Sequence, residues 1–308
     1  DWHSSGVTTV LTGVLREAVD PALVGVCVCG GKGSRSNMTP AEIHKYGSVF
    51  KLSEEQVGRL EHASRLAAKV DNAAIQAGYP LYHHAFFMTA DGKWAVIQQG
   101  MDASDKTARR YHWISEHVQS FVIEPHDAIV GDTVRPTALN MTSKNSEESR
   151  KVAVDLVKDG VGKLRNDVSL LRSDGQRVLT EWMNQTPNRT YTTQVLSMPS
   201  HIDWGAMKRA YEFQPSDYEE LLSIRGIGPG AVRALALVSQ IIYGVKPSWD
   251  DPVKFSFALG GKDGVPFPVD RFSYDQTIHH LGHLIEKARL EGREKYAALR
   301  RLKAIAPV

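Results

Sequence analysis

The sequence predicts an α+β protein, with a mixed α/β domain followed by an all-helical domain. Strand-like and helical patterns alternate up to about residue 145, whereas almost every pattern after the polar stretch at 142–149 is helical. A glycine-rich break also separates two apolar helical patterns near residue 226. Because 308 residues exceed the usual size of one domain, we expect two, at 1–145 and 146–308.

Charge and hydropathy limit the classes of function that the sequence allows. The 37 basic and 35 acidic residues nearly balance, so the net charge of +2 does not by itself indicate a nucleic-acid ligand. No apolar run reaches the roughly 18 residues that a membrane span needs, and we expect no membrane partner. Cys27 and Cys29 fit buried core positions and a reducing compartment, which favours a cytoplasmic protein. Because the sequence opens on Asp1, we expect the first domain to lack part of its N-terminal region.

The first elements follow from local patterns. A helical pattern at 7–19 precedes the strand-like run VGVCVC at 24–29, and a glycine-rich turn comes next. Thr39 and Glu42 have the spacing of a capping box, which predicts the start of a short helix. We expect that helix to end at Gly47.

Three further elements complete the first half. Ser53 and Gln56 form a second capping-box pattern and predict a longer helix. Two strand-like runs, LYHHAFFMT and KWAVIQQ, flank Asp91-Gly92, which is a strong hairpin signal. The run ARRYHWISEHV at 108–118 is interpreted as a helix, and SFVIEP at 120–125 as a strand.

The second half contains helical patterns almost throughout. We predict helices at 149–172 and 174–184, a helix capped by Ser200 that runs through Met207, and another that begins with a capping box at Ser216. Two terminal helices follow a Pro- and Gly-rich loop (245–269), at 272–290 and 293–304.

The segment LLSIRGIGPGA at 221–231 carries the strongest functional signal. Its glycines permit backbone conformations that a side chain would forbid, and Pro229 suits the first turn of the next helix. Amides at a helix N-terminus favour an anion, so this helix-hairpin-helix pattern is typical of proteins that hold the DNA backbone without reading its sequence. The predicted nucleic-acid contacts here are Arg225, Gly226, Ile227, Gly228 and Gly230.

With its surroundings, this segment resembles the helix-hairpin-helix superfamily of DNA glycosylases. The hairpin, the helix after it, Pro268-Val269-Asp270 and the following helix keep that superfamily's order. The resemblance implies a DNA repair enzyme that excises a base by hydrolysing its N-glycosidic bond, without a cofactor or metal, with Asp270 as the catalytic carboxylate. Members that also cut the strand have a lysine where this sequence has Gly230, and Lys262 is the nearest alternative amine.

A second resemblance spans essentially the whole chain. The strings DWHSSGVTTV, LYHHAFF, DGKWAVIQQGM and FSFALGGKDGVPFPVDR are similar to an archaeal and bacterial family described only as a domain of unknown function. This resemblance implies no activity.

Further nucleic-acid contacts are expected in the first half. The glycine loop after VGVCVC carries Lys32 and Arg35, which suits a phosphate contact, although the sequence does not satisfy the P-loop pattern. Cations alternate with aromatic residues in RRYHW, as at a site that contacts phosphates and stacks a base. We therefore predict Arg109 and Arg110 as phosphate contacts, and a base pocket formed by Tyr111, His112, Trp113, His84 and Gln99. A surface position for Gln98 and Gln99 is the alternative.

Two other functions compete with the glycosylase. A metal-dependent nuclease could use the histidines and acids of the first half, although no spacing among them matches a known metal motif. A non-catalytic DNA-binding module would use the hairpin alone. The glycosylase-like enzyme is the leading hypothesis, with DNA as the partner.

Overall fold

The computed structural model describes residues 2–131, 133–171, 197–253 and 271–287, together with positions 292, 293, 295, 296, 299 and 300. Over these residues helices and strands are mixed, which agrees with the α+β class. Among the described helices, none has the length and apolar character needed to cross a bilayer.

Helices and a sheet alternate in the first half. Helices α1 to α4 span Trp2–Ala18, Pro21–Val24, Thr39–Val49 and Glu54–Lys69. A π-helical turn at Val70–Ala74 extends α4. Strands β1 to β7 span Val26–Lys32, Ile75–Gln76, Leu81–Thr89, Trp94–Asp102, Thr107–Ile114, Ala128–Gly131 and Leu139–Asn140.

The described part of the second half is built from helices. Helices α5 to α10 span Glu147–Lys158, Val161–Leu171, Trp204–Phe213, Tyr218–Ser223, Pro229–Ile241 and Arg271–Lys287. Because 172–196 and 254–270 lie outside the described residues, the all-helical second domain stays a prediction. The predicted helix at 174–184 and most of that at 293–304 also lie outside them.

An antiparallel sheet organises the first half, with strand order β1-β3-β4-β5-β6. Alternate residues of each strand point to opposite faces. His84 hydrogen-bonds Ser64 of α4, and His83 hydrogen-bonds Thr12 of α1, so these helices cover opposite faces. The adjacent histidines therefore face opposite ways, as the alternation of side chains along a strand requires.

One hydrophobic core joins the two halves. It includes Cys27 and Cys29 of β1, which are free and buried as expected, together with Leu235 and other residues of α9. Arg109 of β5 and Asp251 of the second half form an ion pair in which neither side chain is exposed. The domain boundary near residue 145 stays a prediction, and this shared core crosses it.

Two predictions around RRYHW are wrong. The segment forms strand β5 and not a helix, with buried Arg109, Tyr111 and Trp113 on one face. Buried residues at every second position are typical of a strand, and the buried Arg109 cation is compensated by Asp251. The run SFVIEP at 120–125 is irregular, and strand β6 begins only at Ala128.

Helix α3 also differs from its prediction. Its N-cap is Met38, and Glu42 accepts a hydrogen bond from the Gly30 amide in place of closing a capping box. The helix continues past Gly47 to Val49. A Cβ at Gly47 would lie 2.5 Å from Val57 Cγ2, so this glycine allows close packing of α3 on α4 and does not end the helix.

In the second half, the helix starts are displaced. Asp203, not Ser200, caps α7, and Asp217, not Ser216, caps α8. The helix predicted at 149–172 is interrupted at Gly160, whose φ of 112° ends α5 before α6 begins. By contrast, the capping box of Ser53 and Gln56 and the hairpin at Asp91-Gly92 are confirmed.

Candidate nucleic-acid interface

Helices α8 and α9 are joined by a tight turn that we call the 225–231 hairpin. Gly226 has a φ of 95°, a conformation that L side chains rarely adopt. Ile227 is fully buried and anchors the turn in the core, while Gly228 is the N-cap of α9 in an extended conformation. Pro229 is the first residue of the helix, as predicted.

The hairpin presents unpaired backbone donors. Within the described residues, no hydrogen bond uses the amides of Gly226, Gly228, Gly230 or Ala231. The first amides of any helix lack an acceptor within that helix, and here no capping side chain replaces it. The N-terminal end of α9 therefore has the donors and the dipole that an anion requires.

The carbonyl groups of the same turn are held by donors from other elements. Lys69 Nζ donates to the carbonyls of Ile224, at 3.2 Å, and Ile227, at 2.7 Å. Arg209 donates to the Arg225 carbonyl at 2.9 Å. Burial lowers the pKa of Lys69 from its usual value. These contacts fix the orientation of the peptide groups in the turn.

The glycines of the hairpin serve different purposes. A Cβ at Gly226 would lie 2.7 Å from Ala206 Cβ, and one at Gly230 would lie 2.3 Å from the His201 carbonyl oxygen. A Cβ at Gly228 would meet only the Gly226 oxygen, at 3.9 Å. Packing therefore requires Gly226 and Gly230, whereas Gly228 borders open space. A lysine at 230 would displace the segment at 201, which gives a physical reason for glycine there.

The predicted cations occupy different environments. Arg225, the first residue of the hairpin, is exposed. Lys32 and Arg35 are exposed on the glycine loop, and Arg35 pairs with Glu42 at 2.5 Å. Arg109 has no exposed surface and cannot reach an external phosphate in this conformation.

Arg110 is half-buried below α1, where it donates to Thr8 Oγ1 at 3.2 Å. It lies on the sheet face that α1 covers. Of the predicted cations, Arg225 alone belongs to the hairpin segment.

The predicted base-pocket residues do not lie on one surface. His84, Tyr111 and Trp113 are buried on the sheet face that α4 covers. Gln99 and His112 lie on the opposite face, where burial lowers the pKa of His112 to about 4. These five side chains therefore cannot line a single pocket. The two predicted catalytic residues, Asp270 and Lys262, lie outside the described residues.

A cavity of about 690 Å³ that the sequence analysis missed lies between α4, the glycine loop and β3. Its walls include Ser64, His84 and Gln98, and Gln98 is fully buried and not at the surface. Ser64 Oγ lies 2.9 Å from His84 Nε2, and His84 Nδ1 lies 2.9 Å from Gln98 Oε1. The available signal was a serine on the core-facing side of an amphipathic helix pattern.

Asp71 anchors this group from the π-helical turn. It accepts hydrogen bonds from Gln98 Nε2, from His126 Nε2 and, at 3.0 Å, from Trp113 Nε1. The carboxylate is fully buried, so these donors compensate the loss of its hydration. π-Helical turns often occur at functional sites.

Comparison with known families identifies the chain. Residues 1–269 match the model of a family described as "Protein of unknown function (DUF763)". The chain belongs to the DUF763 family. No curated protein and no solved structure gave a match.

In this DUF763 protein, helix α4 connects the hairpin to the cavity. Arg65 and Ala68 line the cavity, and Lys69 holds the hairpin carbonyls. Arg65 and Lys69 are one turn apart, a rise of about 6 Å. The His, Cys, Asp and Glu side chains of the described residues form no group of three that could hold a metal ion, so the nuclease alternative gains no support from them.

Proposed function

We propose that this DUF763 protein binds the DNA backbone through the 225–231 hairpin and acts as a base-excision enzyme of the glycosylase type. The observation that carries the proposal is the set of amides at the start of α9 that have no hydrogen-bond partner among the described residues. A backbone phosphate is the anion that these donors suit, and contacts of this kind position a duplex without reading its sequence.

Arrangement and charge around the hairpin support this proposal. Lys69 and Arg209 pair the carbonyls of Ile224, Arg225 and Ile227, which reduces the repulsion that these acceptors would exert on a phosphate. Exposed Arg225 adds a cation beside the amides. Gly228 leaves space in front of them, because a Cβ there would meet no atom closer than 3.9 Å.

The excision step rests on the resemblance to the glycosylase superfamily. Breaking an N-glycosidic bond develops positive charge on the sugar, which a carboxylate at Asp270 would stabilise. The target base must leave the helical stack to be reached. Gly230 occupies the position of the lysine in members that also cut the strand. We therefore propose that this protein removes the base and that no amine at position 230 cuts the strand.

A negative charge introduced at position 228 tests the proposed contact between the hairpin and the DNA backbone. Gly228→Glu places a carboxylate where the phosphate would bind, while Gly228→Gln is the neutral control of the same size. The extended conformation at 228 accepts either side chain, and an acid at a helix N-terminus does not oppose the helix. We expect Gly228→Glu to weaken binding of duplex DNA at least about tenfold relative to Gly228→Gln, as measured by fluorescence anisotropy.

Equal affinities of the two variants for DNA would contradict the hairpin contact. The chemistry is tested with oligonucleotides that carry single lesions, followed by alkali to reveal abasic sites. Base removal that survives EDTA and is lost in Asp270→Asn supports the glycosylase. Strand cleavage that EDTA abolishes would indicate the nuclease instead, and binding without any product would leave a DNA-binding module.

A further inference from the structure

Ser64 differs from an ordinary helical serine in its hydrogen bonding. Serines inside helices commonly donate to a carbonyl of the preceding turn. Within the described residues, the Ser64 hydroxyl has His84 Nε2 as its partner, at 2.9 Å. Ser64 nevertheless borders the 690 Å³ cavity, with 3 % of its surface exposed.

The buried neighbours determine which nitrogen of His84 carries the proton. Asp71 Oδ2 accepts a hydrogen bond from Gln98 Nε2, so the Gln98 amide presents its NH₂ group to that carboxylate. The Gln98 oxygen then faces His84 Nδ1 at 2.9 Å and accepts its proton. His84 Nε2 is consequently left as an acceptor for the Ser64 hydroxyl.

Burial also keeps His84 neutral, because desolvation lowers the pKa of its imidazole. A neutral imidazole whose Nδ1–H is fixed and whose Nε2 accepts from a serine is the arrangement that activates a serine nucleophile. Gln98 and Asp71 act here as positioning residues, since neither touches the hydroxyl.

The cavity wall indicates the substrate. Among the described residues that line it, Arg65 is the one charged side chain, and it pairs with Glu61. Leu81 and Tyr82 supply apolar surface, and the Asn37 and Asn72 carboxamides supply neutral donors. Because the one cation among these described wall residues is paired, the wall suits an uncharged acyl group better than a phosphate ester.

We propose that Ser64 and His84 form a nucleophile and general base that hydrolyse a carboxylic ester bound in this cavity. Ser64 Oγ bonds to the carbonyl carbon and its proton passes to His84 Nε2. The bond to the leaving alcohol then breaks, and the alcohol takes that proton. Water next bonds to the acyl carbon and gives a proton to His84 Nε2. The bond between that carbon and Ser64 Oγ then breaks, the acid leaves, and Ser64 Oγ takes the proton back from His84.

A fluorophosphonate probe tests the proposal on the full chain without DNA. The probe should form a bond between Ser64 Oγ and phosphorus with loss of fluoride, which intact-mass measurement and peptide mapping of the unmodified protein detect. Ser64→Ala should remove the label. Ser48→Ala is the control, because Ser48 is an exposed helical serine that does not line the cavity and donates to the His44 carbonyl, and it should label as the unmodified protein does.

His84→Gln should slow labelling at least about 100-fold while the thermal unfolding temperature shows that the variant is folded. An unlabelled Ser64 peptide after prolonged exposure of the unmodified protein would overturn the proposal. So would equal labelling of Ser64→Ala, or an unchanged rate in folded His84→Gln. These outcomes are independent of the DNA affinity that tests the hairpin.

Discussion

His83 and His84 are neighbours in sequence with different partners. His84 is held between Ser64 and Gln98. His83 Nε2 lies 3.2 Å from Thr12 Oγ1, a hydroxyl that itself donates to the Thr8 carbonyl, so the imidazole nitrogen is the donor. His83 Nδ1 is buried and has no partner among the described residues. Protonation of His83 would therefore place a charge in a site that offers it little compensation.

His83 is expected to couple stability to pH. Burial, with smaller contributions from His84 and Lys32, lowers the pKa of His83 from 6.5 to about 4. Between these pH values the unfolded chain binds a proton that the folded chain does not, so the free energy of unfolding falls as pH falls from about 6.5 to 4. We therefore expect the free energy of unfolding to fall by about 2 kcal/mol less between pH 7 and pH 4 in His83→Gln than in the unmodified protein, as measured by urea unfolding.

The control for this measurement is His117→Gln. His117 is exposed, and its pKa is raised by Asp127. Its replacement should leave the acid-induced loss in place. If His83→Gln and the unmodified protein lose equal stability between the two pH values, the burial argument for His83 is incorrect.

At the scale of elements, helix α4 supports the 225–231 hairpin. Lys69, in its last turn, is half-buried and donates to two carbonyls of the turn between α8 and α9. Gln76, just after the π-helical turn, donates to the Pro229 carbonyl at 2.9 Å. The hairpin conformation therefore depends on the first half of the chain as well as on its own glycines.

We expect Lys69→Met to loosen the hairpin. The methionine keeps the apolar stem but leaves the Ile227 carbonyl without its donor, while the Ile224 carbonyl keeps only the Ile227 amide, at a cost of about 2 kcal/mol. Hydrogen exchange should accelerate in residues 224–228. Arg59→Met is the control on the same helix, because Arg59 forms an exposed pair with Glu55 and should change stability little. Unchanged exchange at 224–228 in Lys69→Met would rule out this support.

For the whole molecule, the connection between Arg109 and Asp251 joins the sheet to the second half. Asp251 Oδ2 accepts from Arg109 at 2.6 Å and from the Arg135 amide at 2.6 Å. The Arg109 guanidinium also stacks over the Tyr79 ring, 4.4 Å from its centroid. The shared hydrophobic core and this buried pair predict that both halves unfold together.

Asp251→Ala should leave a buried guanidinium uncompensated and lower the free energy of unfolding by about 3–5 kcal/mol. Fluorescence and far-ultraviolet circular dichroism should still report one urea transition. Asp105→Ala is the control, because its partner Arg135 is partly exposed, and its cost should stay below about 1 kcal/mol. Two separate transitions in the unmodified protein would contradict the coupling of the halves.

Features set by neighbouring residues could be predicted from the sequence. The capping box of Ser53 and Gln56, the hairpin at Asp91-Gly92 and the turn before Pro229 depend on bonds or backbone angles within a few residues. The helical pattern for 108–118 failed because a buried arginine in a strand requires Asp251, which lies 142 positions away from Arg109.

The sequence by itself determined the α+β class, the free buried cysteines and the glycine turn between α8 and α9. Only the tertiary structure decided which polar residues meet: Ser64 with His84 and Gln98, and Lys69 with the hairpin carbonyls. The reason is physical. Turns and caps form from neighbouring backbone groups, whereas a buried polar side chain takes whichever partner the fold brings within hydrogen-bonding distance.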